Sequence, residues 1–231
     1  MSAEPEQFDP ATPSEPPLEL ALARLPVGRH GLPRSFVAHN QRMRIVAAML
    51  QTLPRHGYAA TTIGHLTKEA GVSRAAFYAH FAGKEECFLA TYDLAGEWLY
   101  ERVERAAAAA GEWPFRVRAG ASELLRLFAA NPALAHLVAV EPLRAGPAAR
   151  GRQQACLARF AEALRVGRPA RTQLPADLEE LLLGGAVALV ARYVDGGRVE
   201  RLPDISAELT RCLLIPYLGQ RGAARVIAQA A

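Results

Sequence analysis

Residues 61–84 read TTIGHLTKEAGVSRAAFYAHFAGK, and a single glycine within them decides much of what this stretch becomes. Thr61 or Thr62 caps a helix whose Ile63, Leu66 and Ala70 share a face. Gly71 supplies the positive φ that a tight turn needs, and Ser73 then caps a second helix. Val72 before that cap and Phe77 have the spacing of a hydrophobic staple. Phe77 and Phe81 lie one turn apart and pack inward together, which leaves Arg74, Ala76, Tyr78 and His80 on or near the outer face. Two short helices about such a turn form a DNA-binding shape, with the second helix entering the major groove.

Charge agrees with shape. From Arg24 to Lys84 there are seven arginines and two lysines against Glu69 alone, although the chain as a whole carries only +4. Residues 24–56 hold six of those arginines and no acid. A merely solvated face explains such a run poorly, and attraction to a polyanion explains it directly. By contrast, residues 1–23 hold five acids and no base.

The rest of the pattern is helical. Residues 1 to about 17 are rich in Pro, Glu and Ser and are expected to be disordered. Residues 24–34, RLPVGRHGLPR, form a basic arm broken by Pro and Gly. A helix is expected over 35–53, where Phe36, Ile45, Met49 and Leu53 share a face; Pro54 stops or kinks it and Gly57 closes it. A long helix follows over 84–110, ended by Gly111, and others near 115–130, 133–140, 148–165, 176–195 and 204–218, with Pro and Gly at the breaks. No stretch shows useful β alternation, so the fold class is all-α.

Several function classes are excluded. No apolar run reaches the roughly 18 residues a membrane span needs, and residues 1–23 lack the regions of a secretion signal, so the expected location is the cytoplasm. Cys87, Cys156 and Cys212 are too few and too scattered for a disulfide framework or a zinc site. No phosphate loop, zinc-protease helix or nucleophile motif is present. No cofactor, metal or enzymatic activity is expected.

Over residues 43–92 the order HGY (His56 to Tyr58), TTI, EAGVS, FYAHF and GKEE resembles the TetR family of bacterial transcriptional regulators. A generic helix-turn-helix does not bring the F-Y-x-H-F-x-x-K string. The resemblance implies a division into an acidic tail and basic arm (1–33), a helix-turn-helix DNA-binding domain (34–84) and an effector-binding and dimerisation domain (85–231). It implies a homodimer on a palindromic operator in double-stranded DNA, with an unidentified small-molecule effector releasing it, most commonly as a repressor. The last two long helices are expected to form the dimer interface.

The recognition helix expected from this resemblance is 73–81. Ser73, Arg74, Ala75 and Ala76 would face base edges, and Tyr78, His80 and Lys84 would hold phosphates. Arg grips guanine bidentately, and a solvent-exposed Arg74 without base contact is the bland alternative. Many relatives carry Gly-Thr where Ala75-Ala76 stand here, which implies more contact with thymine methyls. Tyr78 as a core aromatic is disfavoured because Phe77 and Phe81 already fill the inward face. His80 reads equally well as a satisfied surface histidine. A phosphate would relieve the clash between the Lys84 charge and the helix dipole. Thr62 caps, and a phosphate contact is compatible with that. Arg24, Arg29, His30 and Arg34 of the arm would enter a minor groove, or else give only non-specific affinity.

In the second half, residues 181–194, LLLGGAVALVARYV, are nearly all apolar. Gly184, Gly185, Ala186 and Ala188 would let another helix approach closely across a two-fold axis, with 204–218 as its companion; a plain core helix is the alternative. Trp98, Trp113, Phe128, His136 and Phe160 are pocket candidates that read more simply as core. Two rival functions remain: a DNA-binding architectural factor with a filled core and no effector, and a helical enzyme or lipid-binding module carrying a vestigial helix-turn-helix.

Overall fold

The computed structural model describes residues 34–169 and 174–229, with side chains from Val37 onward. The tail and arm expected over 1–33, and the Arg34 side chain, lie outside the described residues. Among the described residues there are ten α-helices, one 3-10 segment and no strand. In chain order they are α1 (Arg34–Ala60), α2 (Ile63–Ala70), α3 (Arg74–Tyr78), α4 (Lys84–Ala108), α5 (Trp113–Ala130), α6 (Pro132–Ala139), α7 (Glu141–Ala145), α8 (Pro147–Arg165), α9 (Leu178–Asp195), the 3-10 segment Val199–Ile205 and α10 (Ser206–Ala228). No helix among them is long and apolar enough to cross a membrane.

The apolar spacing read in α1 becomes its buried face, with Ile45, Met49 and Leu53 fully inaccessible. The helix runs past Pro54 and breaks at Gly57, whose φ is 68°. Pro54 removes only one backbone bond, and it does so close to that break, where the loss matters least. Four later helices carry proline at their first or second position, namely α5, α6, α7 and α8. These four Pro residues are therefore helix starts, where a missing N–H costs nothing, whereas Pro203 lies within the 3-10 segment.

The start of α4 packs on α1, and its length then runs against α5 and α8. Helix α5 also meets α10 and the 3-10 segment, while α9 lies on α8 and α6. Helices α6 and α7 in turn rest against α1, so both halves of the chain share one contiguous core. The last helix differs from the expected 204–218. It follows a 3-10 segment and continues through a kink at Gly219 to Ala228. The short α7 was not anticipated either.

Candidate nucleic-acid interface and interior cavity

The turn between α2 and α3 is a Schellman close. Gly71 takes φ 60° and ψ 42°, its N–H reaches the Lys68 carbonyl at 3.3 Å, and the Val72 N–H reaches the Thr67 carbonyl at 3.0 Å. Arg44 of α1 donates to the Gly71 carbonyl at 2.9 Å and clamps the turn from outside. A side chain at position 71 would meet that guanidinium at 2.6 Å. Both caps form as read: Thr62 Oγ accepts from the His65 N–H at 3.2 Å, and Ser73 Oγ from the Ala76 N–H at 3.0 Å.

The regular part of the recognition segment is short, α3 alone, but i to i−4 bonds continue it: Ala79 N–H to Ala75 O and Phe81 N–H to Phe77 O, both 3.0 Å. Phe77 and Phe81 are buried as expected, with ring centroids 5.8 Å apart. Thr62, Ser73, Arg74, Ala75 and Tyr78 are exposed on one side, and Ala76 is half-buried among them. Tyr78 keeps 57% of its surface open, and no core role is left for it. Arg74 pairs with no acid among the described residues; a side chain on Gly64 would lie 3.7 Å from its guanidinium.

Two of the expected phosphate ligands have partners inside the protein. His80 is half-buried, with Nε2 3.4 Å from Gln41 Oε1; burial, then the nearby Arg42 charge, lower its pKa. Lys84 donates to the Tyr58 and Ala59 carbonyls at 2.7 and 3.3 Å and sits 4.2 Å from the Tyr58 ring centre. Those carbonyls end α1 and form a negative pole, so the conflict with the α4 dipole is relieved without DNA. Partial burial also pulls the Lys84 pKa below its usual value.

The junction between the helix-turn-helix and the rest of the chain centres on a residue that pattern reading passed over. Glu141 is fully buried, and its Oε2 accepts the Tyr58 N–H at 2.7 Å. Its Oε1 lies 3.3 Å from His136 Nδ1 and 3.6 Å from Arg144, and neither Oε1 nor Nδ1 has a hydrogen-bond partner among the described residues. Burial lowers the His136 pKa and outweighs the opposing pull of Glu141. The signal in the sequence is a lone acid after the eight residues of α6 and Val140, all of them apolar apart from His136.

The core beyond α4 is not filled. One cavity, in which the centre of a water molecule has about 100 Å³ to move, lies between α4, α5, α8, α9 and α10. A second, of about 60 Å³ on the same measure, reaches α6. Trp113 lines the first, Phe128 the second and Phe160 both; Trp98 and His136 line neither. Ala186, read as an interface residue, is buried and faces both cavities, whereas Gly185 and Ala188 stay exposed.

Residues 45–91 match the family of bacterial regulatory proteins, tetR family. The HTH-type transcriptional regulator CymR of Pseudomonas putida is 43% identical over 60 residues, 26% of this chain and 28% of CymR. The nucleoid occlusion factor SlmA of Marinomonas sp. (strain MWYL1) is 29% identical over 105 residues, 46% of this chain and 53% of SlmA. The chain thus spans about half or less of the length of these curated relatives. Solved structures extend the likeness to the whole fold. The fatty acid degradation regulator FadR from Bacillus halodurans superposes with a TM-score of 0.68 at 18% identity, covering 75% of this chain and 94% of FadR. FadR from Bacillus subtilis in complex with stearoyl-CoA gives 0.60 at 18% identity, covering 77% and 98%. Motif and turn geometry coincide over residues 45–91, which match the tetR family, and the helical architecture beyond them has the fold of the FadR structures.

Proposed function

We propose that the chain is a sequence-specific DNA-binding transcriptional regulator, a ligand-responsive homodimeric repressor that binds a palindromic operator through residues 73–81 and acts in the cytoplasm. The observation that carries this reading is the α2–α3 pair. Two capped helices meet at a clamped turn, and Arg74, Ala75 and Tyr78 stand exposed on the side away from the buried Phe77 and Phe81. Base-facing roles fall to Ser73, Arg74, Ala75 and Ala76, and phosphate roles to Thr62 and Tyr78, with His80 and Lys84 acting at least partly through the protein contacts described above.

The unfilled core supports a ligand-responsive protein over an architectural factor, whose core would be closed. The similarly folded FadR from Bacillus subtilis is a complex with stearoyl-CoA, which supports a small-molecule effector here. Helix α9 supports the dimer: Leu181 is 73% exposed, and a side chain added at Gly184 or Gly185 meets nothing within 4 Å. No catalytic role is proposed.

The test is selection of bound genomic fragments by the purified protein at near-physiological salt, followed by sequencing. A few discrete palindromic sites are expected, with half-site centres roughly one helical turn (about 34–36 Å) or somewhat more apart. Diffuse binding without a motif would replace specific regulation with electrostatic attraction alone.

A further inference from the structure

The two cavities adjoin. Leu124, Phe160, Leu183, Ala186 and Leu209 wall both, so the two lobes share a waist of five side chains. The outer lobe carries the Arg116–Glu104 salt bridge, 3.3 Å long, with the two side chains 30% and 40% exposed, so this pair forms the mouth of the lobe toward solvent. Val138 and Ala139 of α6, both buried, line the inner lobe and not the outer one.

The inner lobe offers a ligand no charge. Its polar groups are Gln153, whose amide already donates to the Val138 carbonyl at 3.0 Å, and the Tyr92 hydroxyl and Cys156 thiol, whose pKa values burial raises, so both stay neutral. A charged or strongly polar group carried inward would lose its water without replacement. At the mouth the opposite holds. Arg116 spends one N–H on Glu104 and has donors left for a second oxygen acceptor. Among the described residues it is the one cation on the walls of the two lobes.

We propose that the two lobes join into one channel that binds a single long acyl chain, with its carboxylate or thioester carbonyl against the Arg116 guanidinium and its methyl end against Val138 and Ala139. This rests on the reading of the chain as a ligand-responsive regulator and names the ligand class and its orientation. The deep end also gives the ligand a lever. Val138 and Ala139 stand on the same short helix as His136 and three and two residues before Glu141, which holds the Tyr58 N–H of the DNA-binding half. A chain long enough to press on α6 acts on that contact, and a shorter one fills the outer lobe alone.

The experiment titrates the full chain with cis-parinaric acid, read by its fluorescence, and displaces it with octanoic, lauric and palmitic acids, with palmitoyl-CoA and with dodecanol. Affinity is expected to rise roughly fourfold per added methylene while the chain still fits. The free acids and the thioester separate the two sources of the same acyl chemistry, and binding by either supports the site. Ala186→Phe, which plugs the waist, is expected to weaken parinaric acid at least tenfold. Ala139→Val, a smaller change at the closed end, weakens palmitic acid more than octanoic acid, and it covers the case in which the Phe variant does not fold. Arg116→Gln lowers affinity for the acids severalfold and leaves dodecanol unchanged. Failure of every probe to bind up to its solubility, or binding untouched by both wall variants, overturns the proposal. Binding that follows the expected pattern without any change in operator affinity upholds the site and removes the regulatory reading instead.

Discussion

The Tyr58 backbone N–H donates to Glu141 Oε2 at 2.7 Å, joining positions 83 residues apart in the sequence. The bond lies where α1 breaks at Gly57, and it ties the end of that helix to the first residue of α7. Glu141→Ala leaves a part-buried peptide N–H without its carboxyl acceptor, a loss of about 2 kcal/mol in urea unfolding. Glu141→Gln keeps a neutral acceptor and is expected to lose less. An alanine variant as stable as the parent would show that the contact carries no energy.

Stability is expected to fall with acid in two stages. Burial holds the folded His136 pKa below 6.5, with Glu141 and Asp195 opposing and Arg144 assisting. The unfolded chain therefore binds that proton first, so this contribution is complete above 6.5 and is lost as pH falls toward the folded value. Glu179 follows at lower pH. Its burial favours the neutral acid, but the Tyr217 hydroxyl at 2.8 Å, Arg165 and Arg168 outweigh burial and hold its carboxyl below 4.5. That stability is present above 4.5 and disappears as pH drops through the folded value. Urea midpoints measured across this range should lose the upper stage in His136→Asn and the lower stage in Glu179→Gln.

Ser73 and Arg74 are adjacent and are expected to fail differently. Ser73→Ala removes a cap worth about 1 kcal/mol, so beside its own base contact it loses affinity on every duplex. Arg74→Ala removes a base contact worth about 1–3 kcal/mol and relaxes sequence preference at one position. Binding isotherms on the selected operator and on a scrambled duplex separate the two. Equal loss on both duplexes for Arg74→Ala would assign that side chain to phosphate.

Lys84→Gln is expected to lower the melting temperature by a few degrees, as the α1 carbonyls lose their cation, at a cost of about 1 kcal/mol. The slope of log affinity against log salt should change by clearly less than the roughly 0.9 that one lost phosphate contact removes. A full step in that slope with unchanged melting would return Lys84 to the DNA.

Gly185→Trp is expected to give monomers in sedimentation and to abolish operator binding, because a two-fold partner would approach α9 closely at this position. Its Cβ meets nothing within 4 Å in the protomer, so the fold itself has room for it. A variant that remains dimeric would move the interface off α9.

The local rules of the chain were legible wherever a single residue type is demanded. Gly71, Thr62 and Ser73 each stand where one backbone geometry or one cap has few alternatives, and each behaves as read. The all-α class followed from helical spacing, and the Pro positions marked helix boundaries. What stayed hidden depends on distant partners. Nothing within a turn of Lys84 reveals that the end of α1 will neutralise it, and Ala186 has the same small side chain whether it faces a dimer axis or a cavity. Glu141 looks like any acid at a helix start until the fold brings Tyr58 over it. The recognition surface is thus a property of a short segment, while the junction and the channel are properties of packing.

The unfilled channel also makes this a chain that pressure can read. Well-packed interiors have little volume to give up, but a cavity too apolar to hold ordered water is eliminated when the chain unfolds, so the folded state is the bulkier one. Hydrostatic pressure therefore acts on the ligand-free molecule through the same space that an acyl chain would occupy. Filling the channel would make the protein stiffer and more pressure-resistant, and occupancy becomes measurable as a volume.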